Sequence, residues 1–354
     1  MAVRKGENVL DVFKERGFFK QCTGEEEVQE LFHSGPITGY IGFDPTARSL
    51  HVGSLVPIMA LMHLERSGHR PLAVVGGGTG LIGDPSGKTE QRQLLSKEEL
   101  RGNFNALKTQ LGKFLDFEGG KAIAVDNAEW LADLNYIDFL RDIGRHFSVN
   151  RMLSFEAYKQ RMEKGLSFLE FNYQLLQAYD FLVLFKRYGC RLQMGGDDQW
   201  GNVVAGTDLV RRVEGEEVYG LTFPLLQTAS GAKMGKTAQG AVWLDGEMCS
   251  PYDYYQYWIN TDDRDVARFL GLFTFLPMDE VGRLGLLEGA EIRAAKAILA
   301  YEATVICHGK EAADQARDGA KAAFSGQGGA ENIPTTKIAR QRAEKGIRAN
   351  ELFV

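Results

Sequence analysis

His51 and Ser54 stand three residues apart with Gly53 between them, just after an apolar, β-type run that ends at Phe43. The spacing predicts that they open a helix over 50–66. There, unpaired backbone N–H groups and the positive end of the dipole attract phosphate, and a glycine lets a flat ring approach the backbone. A lone histidine in this position is commonly a cap. A second element changes that weighting: the stretch ASGAKMGKTAQG, 229 to 240, sets Lys233 and Lys236 three apart in a glycine-punctuated loop, with Thr237 beside them. Two ammonium groups on such a loop can clamp polyphosphate as its charge shifts.

Tyr173, Gln177 and Asp180 fall at i, i+4 and i+7, hence on one face of a helix otherwise crowded with Phe171, Leu175, Leu176 and Phe181. A buried, unpaired carboxylate costs several kcal/mol as an order of magnitude. This face therefore meets either another protein polar group or a polar ligand. In GGDDQWGN, 195 to 202, Gly195 and Gly196 permit close approach at a strand end, while Asp198 and Gln199 begin the next helix. A helix cap alone would explain an aspartate there.

Two motifs mislead. AVVGGGTGLIG, 73 to 83, holds a literal GxGxxG at Gly78, Gly80 and Gly83, which points to a dinucleotide-binding oxidoreductase. Asp84 and Pro85 break the helix it should open, and Glu98 and Glu99 lie in the helix-like stretch 96 to 108, not at a strand end. GDPSGKT, 83 to 89, looks like the end of a phosphate-cradling loop, yet Ile82 stands where that loop needs glycine. Lys88 would meet phosphate only through another geometry.

These residues need a scaffold. Apolar runs at 37–43, 72–75, 122–125 and 192–194 alternate with helical stretches, the pattern of a parallel sheet built from βαβ units. The fold class is α/β, a Rossmann-like parallel-sheet catalytic domain followed by a mainly helical domain. Thr23 and Glu26 have capping-box spacing, so a helix is predicted from there to Gly35. From Pro251 strand signals stop; helices are predicted over 263–273 and 292–307. The divisions are 1–36 as N-terminal helices, 37–250 as the catalytic domain with an inserted helical segment, 251–324 as the helical domain, and 325–354 as a Gly-rich link into a basic tail. That tail carries Lys337, Arg340, Arg342, Lys345 and Arg348.

Composition sets bounds on partners. The 354-residue chain has a net charge of −6, so it lacks a basic footprint over its whole surface, and an RNA partner must be held by a local patch. The apolar stretches, such as that near Phe181 to Phe185, are far too short to cross a bilayer, and no secretory leader is readable. A cytoplasmic location is expected. Cys22, Cys190, Cys249 and Cys307 lie far apart without a CxxC pair, which argues against a disulfide framework or a zinc site and for reduced core thiols.

HVGS and KMGKT are similar to the HIGH and KMSKS signatures of class I aminoacyl-tRNA synthetases. FDPTARSLHVG, GLIGDPSGK, FNYQLLQAYD and GGDDQWGN, in that order, resemble the tyrosyl-tRNA synthetase family over about 37–260. Ser54 stands where the first signature ends in histidine. The resemblance implies tyrosine activation by ATP and transfer to tRNA(Tyr), with magnesium carried on the ATP phosphates, no organic cofactor and no protein metal cage. It implies that Tyr40 and Asp180 meet the tyrosine phenol, that Tyr173, Gln177 and Asp84 hold its ammonium, and that Gln199 lies at the amino-acid end. Gly196 and Asp198 fall to the adenylate ribose; Asp44, Thr46 and His51 to the phosphates, with Gly53 and Ser54 in the same ATP-binding turn; Lys88 and Arg92 to the pocket mouth and pyrophosphate. A homodimer is implied, and an RNA-binding domain beyond NELFV, 350 to 354. A tryptophan-specific relative, a small-molecule nucleotidyltransferase, an oxidoreductase and a non-catalytic RNA-binding relative are the rival readings.

Overall fold

The computed structural model describes residues 8–86, 95–163, 165–231, 234–237 and 240–325. The expectations attached to Lys88, Arg92, Lys233 and the basic tail lie outside these residues, and Lys236 and Thr237 are described as backbone only.

Six strands form the central sheet: β1 (Gln21–Cys22), β2 (Thr38–Phe43), β3 (Arg70–Val75), β4 (Ile123–Asp126), β5 (Cys190–Gly196) and β6 (Tyr219–Phe223). Their order is β1-β6-β5-β2-β3-β4, with every pairing parallel except β1 on β6. The chain leaves β2 on one side through β3 and β4, then returns on the other side with β5. The carboxyl ends of β2 and β5 thus flank a topological switch point, where open α/β sheets bind ligands. A short hairpin of β7 (Lys236–Thr237) and β8 (Gly240–Ala241) stands apart from this sheet.

Burial on both faces explains why β2 and β3 read as mainly apolar runs. Ile41, Ala73 and Val75 enter a core shared with helix Leu55–Arg66 and the C-terminal helices, while Tyr40, Leu72 and Val74 enter a second core under helices Phe168–Tyr188 and Trp200–Glu214. The helices after residue 250 join the first core directly, since Trp258, Phe269 and Leu299 belong to it. Arg16 reinforces the seam by donating to the carbonyls of Gly271, Thr274 and Leu276 at 3.1, 3.0 and 2.6 Å.

Several expectations are corrected. Thr23 does not cap the helix Glu25–His33, which has no side-chain cap; its hydroxyl accepts from the Gly220 N–H at 3.1 Å, stitching β1 to β6. Both of those strands escaped the sequence pattern. The α-helix after His51 begins at Leu55, preceded by a 3-10 turn over Val52–Ser54, because His51 is held extended (φ −120°, ψ 170°) in a bridge to Trp243. In line with expectation, by contrast, the glycine-rich run opens no α-helix and forms only a 3-10 turn at Thr79–Leu81. All four cysteines are free, but Cys22 and Cys249 are half-buried rather than core residues.

Candidate active site

A cleft of about 640 Å³ opens at the switch point, lined at its floor by Tyr40, Asn127 and Asp180 and at its mouth by His51, Ser54 and Trp243. All the predicted site residues whose side chains are described line this cleft: Asp44, Thr46, Gly53, Asp84, Tyr173, Gln177, Gly196, Asp198 and Gln199 complete the set. They converge from the ends of β2 and β5, the turn after β3, and one face of helix Phe168–Tyr188.

Asp180 is buried, and each of its oxygens accepts one protein hydrogen bond, leaving acceptor capacity toward the cleft: Oδ2 accepts from Asn127 Nδ2 at 2.9 Å and Oδ1 from Trp130 Nε1 at 2.7 Å. Burial outweighs these bonds and raises its carboxyl to about 7. Asn127 in turn accepts from the Gly78 N–H at 2.8 Å and donates to Thr79 Oγ1 at 2.9 Å, tying the glycine-rich turn to the pocket floor. Tyr40, on β2, is 2% exposed and its hydroxyl has no hydrogen-bond partner among the described residues. Burial first, then the Asp180 charge, pushes its phenol well above the usual range.

A second network lines the opposite wall. Asp84 accepts from the Ser86 N–H at 2.9 Å and from Gln199 Nε2 at 2.6 Å, and Asn202 Nδ2 donates to Gln199 Oε1 and Gln177 Oε1, each at 3.1 Å. Burial and then the neighbouring Asp44 raise the Asp84 carboxyl to about 6. Tyr173 donates to Asp44 Oδ1 at 3.3 Å. With Asp44, Asp84, Asp180 and Asp198 and no lysine or arginine among its described lining residues, the cleft is anionic and suits a cationic group.

At the mouth, His51 Nδ1 accepts from the Gly53 N–H at 2.9 Å, so in a neutral imidazole the proton sits on Nε2. A Cβ on Gly53 would lie 2.6 Å from the His51 ring and 3.2 Å from the Met234 carbonyl. The space that glycine leaves is thus filled by the protein's own imidazole and by the 234–235 backbone.

Asn127, Trp130, Asn202 and Trp243 were not singled out from sequence. Asn127 stands two residues past the predicted strand 122–125, at the sheet edge where ligands sit, and that position was the available signal. Trp130 had none.

Residues 33–325 match the family described as tRNA synthetases class I (W and Y). The tyrosine–tRNA ligase of Desulfosudis oleivorans is 64% identical over 319 residues, 90% of this chain and 74% of that protein. That of Clostridium tetani is 55% identical over 342 residues, 97% of this chain and 84% of that protein. Among solved structures, a C-terminally truncated mitochondrial tyrosyl-tRNA synthetase from Aspergillus nidulans superposes with a TM-score of 0.81 at 30% identity, covering 91% of this chain and 95% of the other. The chain belongs to the class I tRNA synthetases of the tryptophan and tyrosine group.

Proposed function

We propose that this chain is a tyrosine–tRNA ligase that activates L-tyrosine with ATP and passes it to the 3′-terminal adenosine of tRNA(Tyr). The observation that carries the amino-acid choice is the floor of the cleft. A buried, unpartnered Tyr40 hydroxyl and the Asp180 carboxylate ask for a ligand with one hydroxyl at the end of an apolar ring. Tyrosine supplies it.

The tyrosine carboxylate oxygen attacks the α-phosphorus of ATP; the bond to the bridging oxygen breaks, and pyrophosphate leaves. A ribose hydroxyl of the tRNA terminus then attacks the tyrosyl carbonyl, expelling AMP. No enzyme nucleophile enters, so rate comes from positioning and from charge stabilisation. Asp84, Tyr173 and Gln177 hold the ammonium, with Gln199 at the amino-acid end. Gly53, Ser54, Gly196 and Asp198 take the nucleotide; Thr46, His51 and Asp44 surround the phosphates. Lys233, Lys236 and Thr237 act on the departing pyrophosphate, with Lys88 and Arg92 at the mouth. Since the described lining brings no cationic side chain, these lysines and the magnesium that accompanies ATP balance the polyphosphate. We also propose a homodimer and a cytoplasmic location; no described helix is long and apolar enough to cross a membrane.

Pyrophosphate exchange into ATP, run separately with each amino acid, tests this reading. Exchange with tyrosine alone is the expected result. Exchange with tryptophan in its place, or with neither, overturns it.

A further inference from the structure

The turn that carries His51 is not free-standing. The Val52 N–H donates to the Val242 carbonyl at 2.9 Å and the Leu244 N–H to the Leu50 carbonyl at 2.9 Å, so residues 242–244 zip along 50–52 and set Trp243 opposite His51. The two rings meet edge to face, with centroids 6.4 Å apart and planes at 69°. The Val242 N–H donates in turn to the Gly235 carbonyl at 3.0 Å. Gly235 has φ +82°, and a Cβ there would fall 2.8 Å from the Gly53 nitrogen and 3.2 Å from His51 Nδ1. Its bare α-carbon therefore covers the very N–H···Nδ1 bond that decides which ring nitrogen keeps the proton. An added methyl would press on both atoms of that bond and would also sit in a backbone region that side chains disfavour.

We infer that Gly235 and Trp243 are positioning residues for His51. Gly235 preserves the Gly53 N–H···Nδ1 bond and so holds the imidazole as the Nε2–H tautomer; Trp243 fixes the rotation of the ring. His51 then meets the nucleotide as a hydrogen-bond donor and not as a base. The inference rests on the ATP-binding reading of the cleft. The role of the second signature in this chain thus reaches beyond its lysines, because the glycine between them shapes the first signature.

The tautomer is read by ¹⁵N NMR of the histidine-labelled, substrate-free protein, with His51 assigned from the spectrum of His51→Gln. The expected wild-type signal is Nε2–H, and Gly235→Ala should shift it toward the other tautomer. Single-turnover adenylate formation, expressed per competent site, should slow by a factor of about 10 to 100 in Trp243→Ala, as a misplaced catalytic contact does, with tyrosine affinity within about twofold. Trp243→Phe should restore most of the rate, whereas a merely structural loss would lower the count of competent sites and leave the rate constant alone. An Nδ1–H signal in the wild type overturns the inference without any variant. So does an unchanged tautomer in Gly235→Ala together with an unchanged rate constant in Trp243→Ala. The NMR readout needs no substrate, so it stands apart from pyrophosphate exchange, whose failure in the wild type would sink the proposed function instead.

Discussion

Tyr40 and Asp180 sit on the same pocket floor with opposite needs. The unpartnered Tyr40 hydroxyl costs the empty protein about 1–3 kcal/mol of desolvation. Tyr40→Phe should therefore raise the thermal midpoint of the unliganded chain while narrowing the tyrosine-over-phenylalanine ratio of kcat/KM by roughly tenfold, the worth of one hydrogen bond. An unchanged ratio removes Tyr40 from hydroxyl recognition. Asp180 makes a different prediction, because its carboxyl is raised from about 4 to about 7 by burial. Between those values the folded state keeps a proton that the unfolded state has released. The contribution of Asp180 to stability is thus fully present below about pH 4 and lost as pH rises to about 7, by a few kcal/mol at most. In Asp180→Asn the facing Asn127 amide meets another amide, which shifts absolute stability, but the difference from wild type must move in the variant's favour between pH 4.5 and 7.5. Denaturant titrations at the two pH values check this, and a difference independent of pH would reject it. Tyr173, Gln177 and Asp180 were legible as one polar face because helical spacing is fixed by geometry. Asn127 and Trp130, which hold Asp180, reach it from a separate chain segment across the sheet edge, and no local spacing encodes that meeting.

Helix Phe168–Tyr188 carries that face, and its start is fastened twice. Ser167 and Glu170 form a capping box, while Glu170 also accepts from Arg161 at 2.8 Å in a pair whose two side chains are only 4% and 6% exposed. Ser167→Ala leaves one orphan N–H and frees Glu170 from a partner, so stability should fall by about 1 kcal/mol. Tyrosine affinity should change little, because Tyr173 and Gln177 lie one to three turns further in. Equilibrium unfolding and tyrosine binding on the same variant test both halves; a large loss of affinity would show that the cap, and not the helix body, sets the pocket. The same sequence pattern at Thr23 and Glu26 caps nothing, since the Thr23 backbone N–H and hydroxyl both pair with Gly220. Local spacing is outvoted there by a sheet edge 197 residues away. The strands β2 to β5 were readable because each holds a short, mainly apolar run, buried on both faces in β2 and β3 and broken only by single polar residues such as Gln193 in β5. The two-residue β1 is too short to show any period, and β6 has a glycine in its five residues. The glycine-rich turn after β3 was readable in the negative sense: its Asp84 and Pro85 end it before a dinucleotide helix can form.

At the scale of the whole molecule the informative feature is where the exposed apolar residues fall along the chain, which bears on the proposed homodimer. Of the eight large apolar residues that stand exposed among the described residues, Tyr136, Ile137, Leu140, Val149, Met162 and Phe168 all fall within 136–168. Leu225 and Leu286 are the remainder, and Leu225 lines the cleft. Exposed apolar residues of this kind are candidates for burial against a partner, and under the proposed homodimer a second copy of the chain would cover them, each copy presenting the same residues to the other. Phe168, 71% exposed, is the most exposed of the six. It is also the first residue of helix Phe168–Tyr188, where a carboxylate is favoured by the helix dipole. Phe168→Asp should consequently leave the helix intact, and stabilise its first turn slightly, while placing a charge within the proposed apolar contact. The expected outcome is a shift toward half the native mass in sedimentation equilibrium, at concentrations where the wild type is dimeric, with an unchanged far-ultraviolet circular dichroism spectrum. Phe168→Leu keeps the apolar contact and should remain dimeric. If Phe168→Asp sediments with the wild-type dimer, the 136–168 face is not where the copies meet; if the wild type itself is monomeric, the proposed homodimer fails.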